Sequence, residues 1–445
     1  MKHLALLLLL VPLVSPASAG EAAQAEAAPV RLTLDDAIAR ARETSARLAS
    51  FTALARAAAE GVRGANASRR PDLDVSAGYT RNSNVPELVL AIPGSPPRTL
   101  FPNLPDIWRT HAGARFPLYT GGRVGSEIAA ATEMERATLS DRAAAQNDLA
   151  AETHIAYVNV LFARENVRVL TEAVASYESH LKDARNRQEL GLAASNETLA
   201  VAVEREQAEL ARLQSESGAA VALANLLRLV GLPPGTAVEL DPAPEAKGAS
   251  PDQDESEELV RRATAGRPEL EAVRARIRSL EATGKVARSG SRPQAGLEAG
   301  WDYTNPNLRY VPWEAKFRST WSVGASVSWK VLDGGRSSAA AAQAQAQADA
   351  LRAQLRDLES RIRLDVTTRR LELDTALAGR PVARRGIDAG RDGLRVARDR
   401  YQEGVLSSSD LLDAETRLLR AELDASLTEA RIQVAMANLA RAAGR

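Results

Sequence analysis

Thr320-Trp321-Ser322-Val323-Gly324-Ala325-Ser326-Val327-Ser328-Trp329-Lys330-Val331 runs directly into Leu332-Asp333-Gly334-Gly335-Arg336. Trp321, Val323, Ala325, Val327, Trp329 and Val331 alternate with Thr320, Ser322, Gly324, Ser326, Ser328 and Lys330, the period of a strand with two unlike faces. Gly334-Gly335 ends that pattern. From Arg336 to Glu403 the chain is a nearly unbroken mixture of Ala, Leu, Gln, Arg and Asp, which favours helix. Those 68 residues would make a rod about 100 Å long at 1.5 Å per residue.

The same passage occurs earlier. Gly121-Gly122-Arg123 lies 213 residues before Gly334-Gly335-Arg336, and Arg187-Gln188-Glu189-Leu190-Gly191 keeps that offset from Arg400-Tyr401-Gln402-Glu403-Gly404. Upstream, Arg70-Pro71 precedes Arg292-Pro293 by 222 residues, and Ser45-Ala46-Arg47-Leu48 precedes Arg267-Pro268-Glu269-Leu270 by the same 222. A register constant on each side of one insertion marks an internal duplication.

The spacing predicts a first repeat over 20–230. It comprises a helix at 33–67 opened by the capping pattern Thr33-Leu34-Asp35-Asp36, a strand pair at 72–120, a long helix at 123–190, a tip at 190–194 and a helix at 195–229. A Pro-rich irregular connector fills 231–254. The second repeat, 255–445, has a helix at 256–289, a strand pair at 294–332, a long helix at 336–403 broken near Pro381, a tip at 404–406 and a helix at 407–441. A post-tip helix and an opening helix together match one long helix in length. Two short helices stacked end to end would therefore flank each long one in a coiled-coil-like layer.

The other strands alternate as well. Leu73, Val75, Ala77 and Tyr79 face Asp72, Asp74, Ser76 and Gly78; Ala112, Ala114, Phe116 and Leu118 face His111, Gly113 and Arg115; Leu297, Ala299, Trp301 and Tyr303 face Gly296, Glu298, Gly300 and Asp302. A half-buried soluble sheet alternates likewise. The aromatics separate the two readings, since 12 of the 17 fall in these two segments, all five Trp among them. Interfacial girdles of a membrane barrel concentrate aromatics in this way, with Tyr79, Trp108, Phe116, Trp301, Tyr303, Trp321 and Trp329 as the interface candidates. Four strands cannot close a barrel, and an open edge would leave peptide groups unpaired in lipid. The barrel must be shared between chains: eight strands from two copies or twelve from three.

Composition narrows the function. Lys plus Arg and Asp plus Glu both number 57, so charge gives no case for nucleic acid, and the absence of Cys excludes disulfides and thiol chemistry. Lys2 and His3 before the apolar run Leu4–Val14, followed by Ala17-Ser18-Ala19, read as a signal peptide over 1–19. His111, His154 and His180 are isolated in sequence and read as surface residues. No phosphate loop, metal-binding His cluster or nucleophile elbow is present, so the reading is of a non-enzyme without cofactor or metal.

In this order, the duplicated hairpins, Pro71 and Pro293 at the helix-to-strand passages, the Gly-Gly turns and Leu229-Val230-Gly231-Leu232-Pro233-Pro234-Gly235 resemble the TolC-like outer-membrane efflux family. That resemblance implies a mainly α fold with a membrane β-barrel contribution. Long antiparallel hairpins form a trimeric α-barrel, and four strands per chain join a shared twelve-stranded β-barrel in the Gram-negative outer membrane above a periplasmic tunnel. It implies an exit duct for a tripartite efflux or type I secretion system, partnered by itself, a periplasmic adaptor, an inner-membrane pump of RND, ABC or MFS type, and outer-membrane lipid.

Residue by residue, the resemblance places adaptor-docking tips at Leu190-Gly191-Leu192 and Gly404-Val405-Leu406. It places an acidic ring at Asp410 and Asp413, and a gate constriction at Tyr401, Asn196, Glu197 and Leu406. Leu406 stands where a gate-locking Arg is often found. The competing reading is a periplasmic adaptor or coiled-coil scaffold without a membrane barrel, which needs only one hairpin and no Trp-rich strand pairs.

Overall fold

The computed structural model describes residues 29–243 and 253–444, so the expected signal segment lies outside the described residues, as does 244–252 of the connector. The first half contains β1 (Val30–Leu32), α1 (Leu34–Thr44), α2 (Ala46–Ala67), β2 (Asp72–Arg81), β3 (Leu88–Leu90), β4 (Arg98–Phe101), β5 (Asp106–Tyr119), α3 (Arg123–Glu189) and α4 (Ser195–Leu229). The second contains β6 (Val238–Leu240), α5 (Gln253–Gly266), α6 (Pro268–Ser289), β7 (Gln294–Asn305), β8 (Arg318–Ser328), α7 (Arg336–Gln402) and α8 (Ser408–Ala442). The duplication is exact in helix length: α3 and α7 have 67 residues each, α4 and α8 have 35, and α2 and α6 have 22.

Gly121 and Gly122 have φ of 64° and 86°, and Gly334 and Gly335 have 66° and 82°. Two successive left-handed residues turn a strand back into a helix within one step, which only Gly does without strain. β2, β5, β7 and β8 form one antiparallel sheet in that order. Its rungs keep the faces apart: Val75, Ala112, Trp301 and Trp321 are mutual partners, and so are Leu73, Ala114, Ala299 and Val323. One residue on, Asp74, Gly113, Gly300 and Ser322 share a rung of the opposite face. The apolar face is uncovered, with Val75 and Trp321 77% and 74% exposed. Tyr79 packs on Trp108 at 4.5 Å, and Trp301, Tyr303 and Phe317 form a stacked run. No helix among the described residues is long and apolar enough to cross a membrane.

Four expectations change. The opening helices are not single rods, for Ser45 and Arg267, 222 residues apart, are both extended at φ −66°. Ser45 caps α2 by accepting from Leu48 N, whereas Arg267 is bent by the ring of Pro268 at the first helical position. Pro381 does not break α7, which is helical throughout. Its missing N–H costs one bond in a rod held to α8 by Arg380 on Glu429 and by Gly379 against Thr428. The connector is not wholly irregular, because β6 pairs in parallel with β1, Val30 opposite Val238. Finally, β8 stops at Ser328, so Trp329 and Val331 lie past the strand. Trp329 Nε1 instead donates to Ser291 O at 3.0 Å and ties the sheet base to the end of α6. Within 82–105 a small hairpin, β3–β4, was not foreseen.

α3 packs against α2, α4, α6 and α8, and α7 against α5, α6 and α8, so short helices flank the long ones as expected. The seams are narrow and rich in Ala, including Ala37, Ala41, Ala137, Ala156, Ala344 and Ala348. Tyr157 is the large exception, fully buried with its hydroxyl 2.9 Å from Leu32 O and 2.7 Å from Asp241 O. It pins α3 to the β1–β6 pair. Burial pushes its phenol up to about 12. Because the folded value is the raised one, the stabilisation is complete below the ordinary pKa of about 10 and is lost as pH climbs from there towards 12. Tyr157→Phe is expected to cost about 1–2 kcal/mol in denaturant melts at pH 7. A variant as stable as the parent would show that the hydroxyl pins nothing.

Candidate functional site at the hairpin tips

Both long helices end in the same motif. After α3, Leu192 N donates to Arg187 O at 2.8 Å and Gly191 N to Gln188 O at 2.9 Å; after α7, Val405 N donates to Arg400 O at 2.9 Å and Gly404 N to Tyr401 O at 3.0 Å. Gly191 and Gly404 take φ of 73° and 76°, the left-handed step this closure requires. The turns present Leu190, Leu192 and Val405 to solvent, each more than 70% exposed. Leu406 differs: it is half-buried and packs with Leu394, Ala397, Tyr401, Leu411 and Ala414 between α7 and α8. It closes the seam of the second hairpin instead of extending the exposed tip.

Asp410 and Asp413 are both exposed and line one groove of about 370 Å³ between α7 and α8. Asp410 Oδ2 accepts from Ser407 Oγ at 2.7 Å while its own N–H donates back to that hydroxyl, so this carboxylate also caps α8. Asp413 has no capping role, and Arg417 Nη2 stands 3.7 Å from it. Arg400 and Arg417 line the same groove, so the pair is acidic in a partly basic setting.

Tyr401 is buried, and its hydroxyl has no hydrogen-bond partner. The expected Tyr401 contacts with Asn196 and Glu197 are therefore not hydrogen bonds. Asn196 is exposed and Glu197 half-buried in the first turn of α4. Burial holds the Tyr401 phenol above its ordinary value. What fixes its ring is Arg187 on α3, whose guanidinium lies 4.1 Å over the ring centroid while Nη2 donates to Tyr401 O at 2.6 Å and to Gln402 O at 3.3 Å. Those carbonyls end α7, where a cation meets both the free acceptors and the negative end of the helix dipole. A cation thus does lock this place, supplied by Arg187 from the facing helix where position 406 holds Leu.

Sequence reasoning passed over the neighbours of this lock. His180 is buried, not a surface residue, and bonds to Glu415 and Ser408; Ser176 bonds to Glu415, and Tyr177 to Thr416. The signal was available: Ser176, His180 and Arg187 recur at helical spacing on one face of α3. His111 is half-buried in the sheet with Nδ1 2.9 Å from Asp302 Oδ1, and His154 is half-buried in α3, its imidazole shifted down by burial. Among the described residues no group of His, Asp and Glu is arranged to hold a metal ion.

Comparison with known proteins places this geometry. The family model described as outer membrane efflux protein matches residues 37–232 and 259–445. Protein CyaE of Bordetella pertussis is 28% identical over 48% of the chain, and the match spans 44% of that relative's length. The outer-membrane channel OprN superposes with a TM-score of 0.76 at 21% identity, covering 92% of this chain and 89% of its own. The outer membrane protein VceC of Vibrio cholerae does so with 0.76 at 19% identity, covering 92% and 96%.

Proposed function

Because the chain belongs to the outer membrane efflux protein family, we propose that it is one protomer of a trimeric exit duct. Its sheet joins a twelve-stranded barrel in the outer membrane, and its helices line a tunnel through the periplasm. The observation that carries this reading is the mismatch between the repeat and the single chain. The two halves meet through β5 with β7, α3 with α6 and α3 with α8. The duplication maps these contacts onto β8 with β2, α7 with α2 and α7 with α4. Within one chain β2 and β8 are the free edges of the sheet. Leu364, Leu371, Val382 and Val396 on α7, and Leu54, Leu199, Val203 and Leu210 on α2 and α4, stand exposed. A second copy set head to tail fills all three contacts at once, and a ring closes the series. Three copies are what the family resemblance implies.

The polar face of the sheet then faces the lumen, while the apolar face and its aromatics meet lipid. The exposed tip residues offer apolar knobs to a periplasmic adaptor, and an inner-membrane pump provides the energy that this chain has no site to generate. Asp410 and Asp413, repeated three times, put six carboxylates around the entrance.

The assembly is tested by mass. In mild detergent the folded protein is expected as a trimer, and a Leu371→Glu, Val382→Glu variant is expected to dissociate towards monomer. A folded monomer from the unaltered chain would remove the shared barrel. For the tips, Gly191→Pro with Gly404→Pro is expected to abolish export in cells while trimer and membrane insertion persist; unchanged export would leave the tips as simple helix reversals. For the entrance, channels in planar bilayers are expected to be cation-selective and blocked by trivalent cations from the periplasmic side. Asp410→Ala with Asp413→Ala should relieve that block, and persistence of the full block would place the acidic ring elsewhere.

A further inference from the structure

Above the tips, α3 of the first hairpin meets α8 of the second along a seam that carries one buried ionisable pair. The His180 and Glu415 side chains are 1% and 4% exposed, with Nδ1 2.9 Å from Oε2. His180 Nε2 lies 2.9 Å from Ser408 Oγ, and Ser176 Oγ donates to Glu415 Oε1 at 2.8 Å. A carboxylate only accepts, so Nδ1 carries a hydrogen and donates to it. With a neutral imidazole, Nε2 must then accept, and Ser408 is its donor. One carboxylate charge is left in the seam, its nearest cation being the half-exposed Arg398, 4.0 Å away.

Tyr401 is the loose end of this chain of bonds. Its ring stands edge-on to His180 at 5.4 Å, and its buried hydroxyl lies beside Ser408 without a hydrogen-bond partner. The single Ser408 hydrogen is already committed to His180. A proton on His180 changes each of these facts together. Nε2–H donates to Ser408 Oγ, the Ser408 hydrogen turns to the Tyr401 hydroxyl, and the imidazolium neutralises the buried carboxylate. No polar atom of the cluster is then unpaired and no net charge remains in the seam.

We propose that Glu415, His180, Ser408 and Tyr401 form a proton-operated latch that clamps the second hairpin onto the first more tightly as the surrounding solution acidifies. Opening the seam exposes His180 to water and removes both partners of its second proton. Proton uptake therefore favours the closed form, and the clamp weakens as pH rises through the range in which imidazoles titrate. The other charged groups facing the cluster are Arg187 and Asp183 from α3, Glu197 and Glu204 from α4, Arg398 from α7 and Arg420 from α8. None of them bonds to His180. The clamp needs only the two hairpins; its control of passage rests on the duct reading.

Hydrogen exchange of backbone amides in 397–414 tests it, on the full-length protein in detergent at pH 5.5 and 7.5 and corrected for the intrinsic pH dependence of exchange. The unaltered protein is expected to exchange about tenfold more slowly at pH 5.5. His180→Gln, and separately Glu415→Gln, should exchange alike at both values, and Tyr401→Phe should keep only part of the response. Equal exchange in the unaltered protein, a full response in either Gln variant, or an undiminished response in Tyr401→Phe would overturn the latch. A protein that shows the exchange response yet conducts no ions in planar bilayers would keep the latch and overturn the duct.

Discussion

A four-stranded antiparallel sheet has two free edges, and each edge is a row of peptide N–H and C=O groups that water can satisfy and hydrocarbon cannot. This sheet sets Leu73, Val75, Trp321 and Val323 on one uncovered face, which suits lipid. Its edges therefore have to be met by strands from other copies. The helical part inherits that arrangement. Once β2 of one copy stands beside β8 of the next, the helices continuing from those strands are brought alongside too, and their exposed Leu and Val find partners. A requirement of backbone hydrogen bonding at one end of the molecule thereby organises the other end, about 100 Å away along α3.

The seams between helices are built for closeness. Ala at most buried positions lets the axes approach, so each rod buries little surface per residue but does so over its whole length. Such seams are poor at specifying register, because one Ala resembles the next. The few large or polar intrusions supply that information: Tyr157 against the β1–β6 pair, Arg187 over Tyr401, and His180 with Glu415. Each is satisfied in one axial position and left unpaired by a slip of a single turn.

Much of this was legible in the sequence because it is periodic. The repeat fixes the order of elements, alternation assigns each strand residue to a face, and the Gly-Gly and tip glycines mark reversals that their positive φ angles bear out. What escaped was non-periodic. Ser45 and Arg267 bend the opening helices through unlike chemistry, visible only once the two are aligned as equivalents. Pro381 was read as a break because propensity describes an isolated helix, whereas α8 supports this one throughout. His180 looked solitary because its partners are 228 and 235 residues away, and Tyr401 was given a hydroxyl contact where its ring makes the bond-free stacking contact.

The polar cluster at α3 and α8 also has a consequence for symmetry. Advanced by the repeat offset, His180 becomes Gly393, and Glu415 falls back on Ala202. The equivalent seam, between α7 of one copy and α4 of the next, can hold no such pair. A ring of three chains has six nearly alike helical seams, and these residues divide them into three polar and three apolar ones in alternation. Any dilation of the entrance is then inherently threefold. The apolar seams can slide without breaking a directed bond while the polar ones stay fixed, so the tube deforms as three rigid pairs rather than as an even sixfold iris.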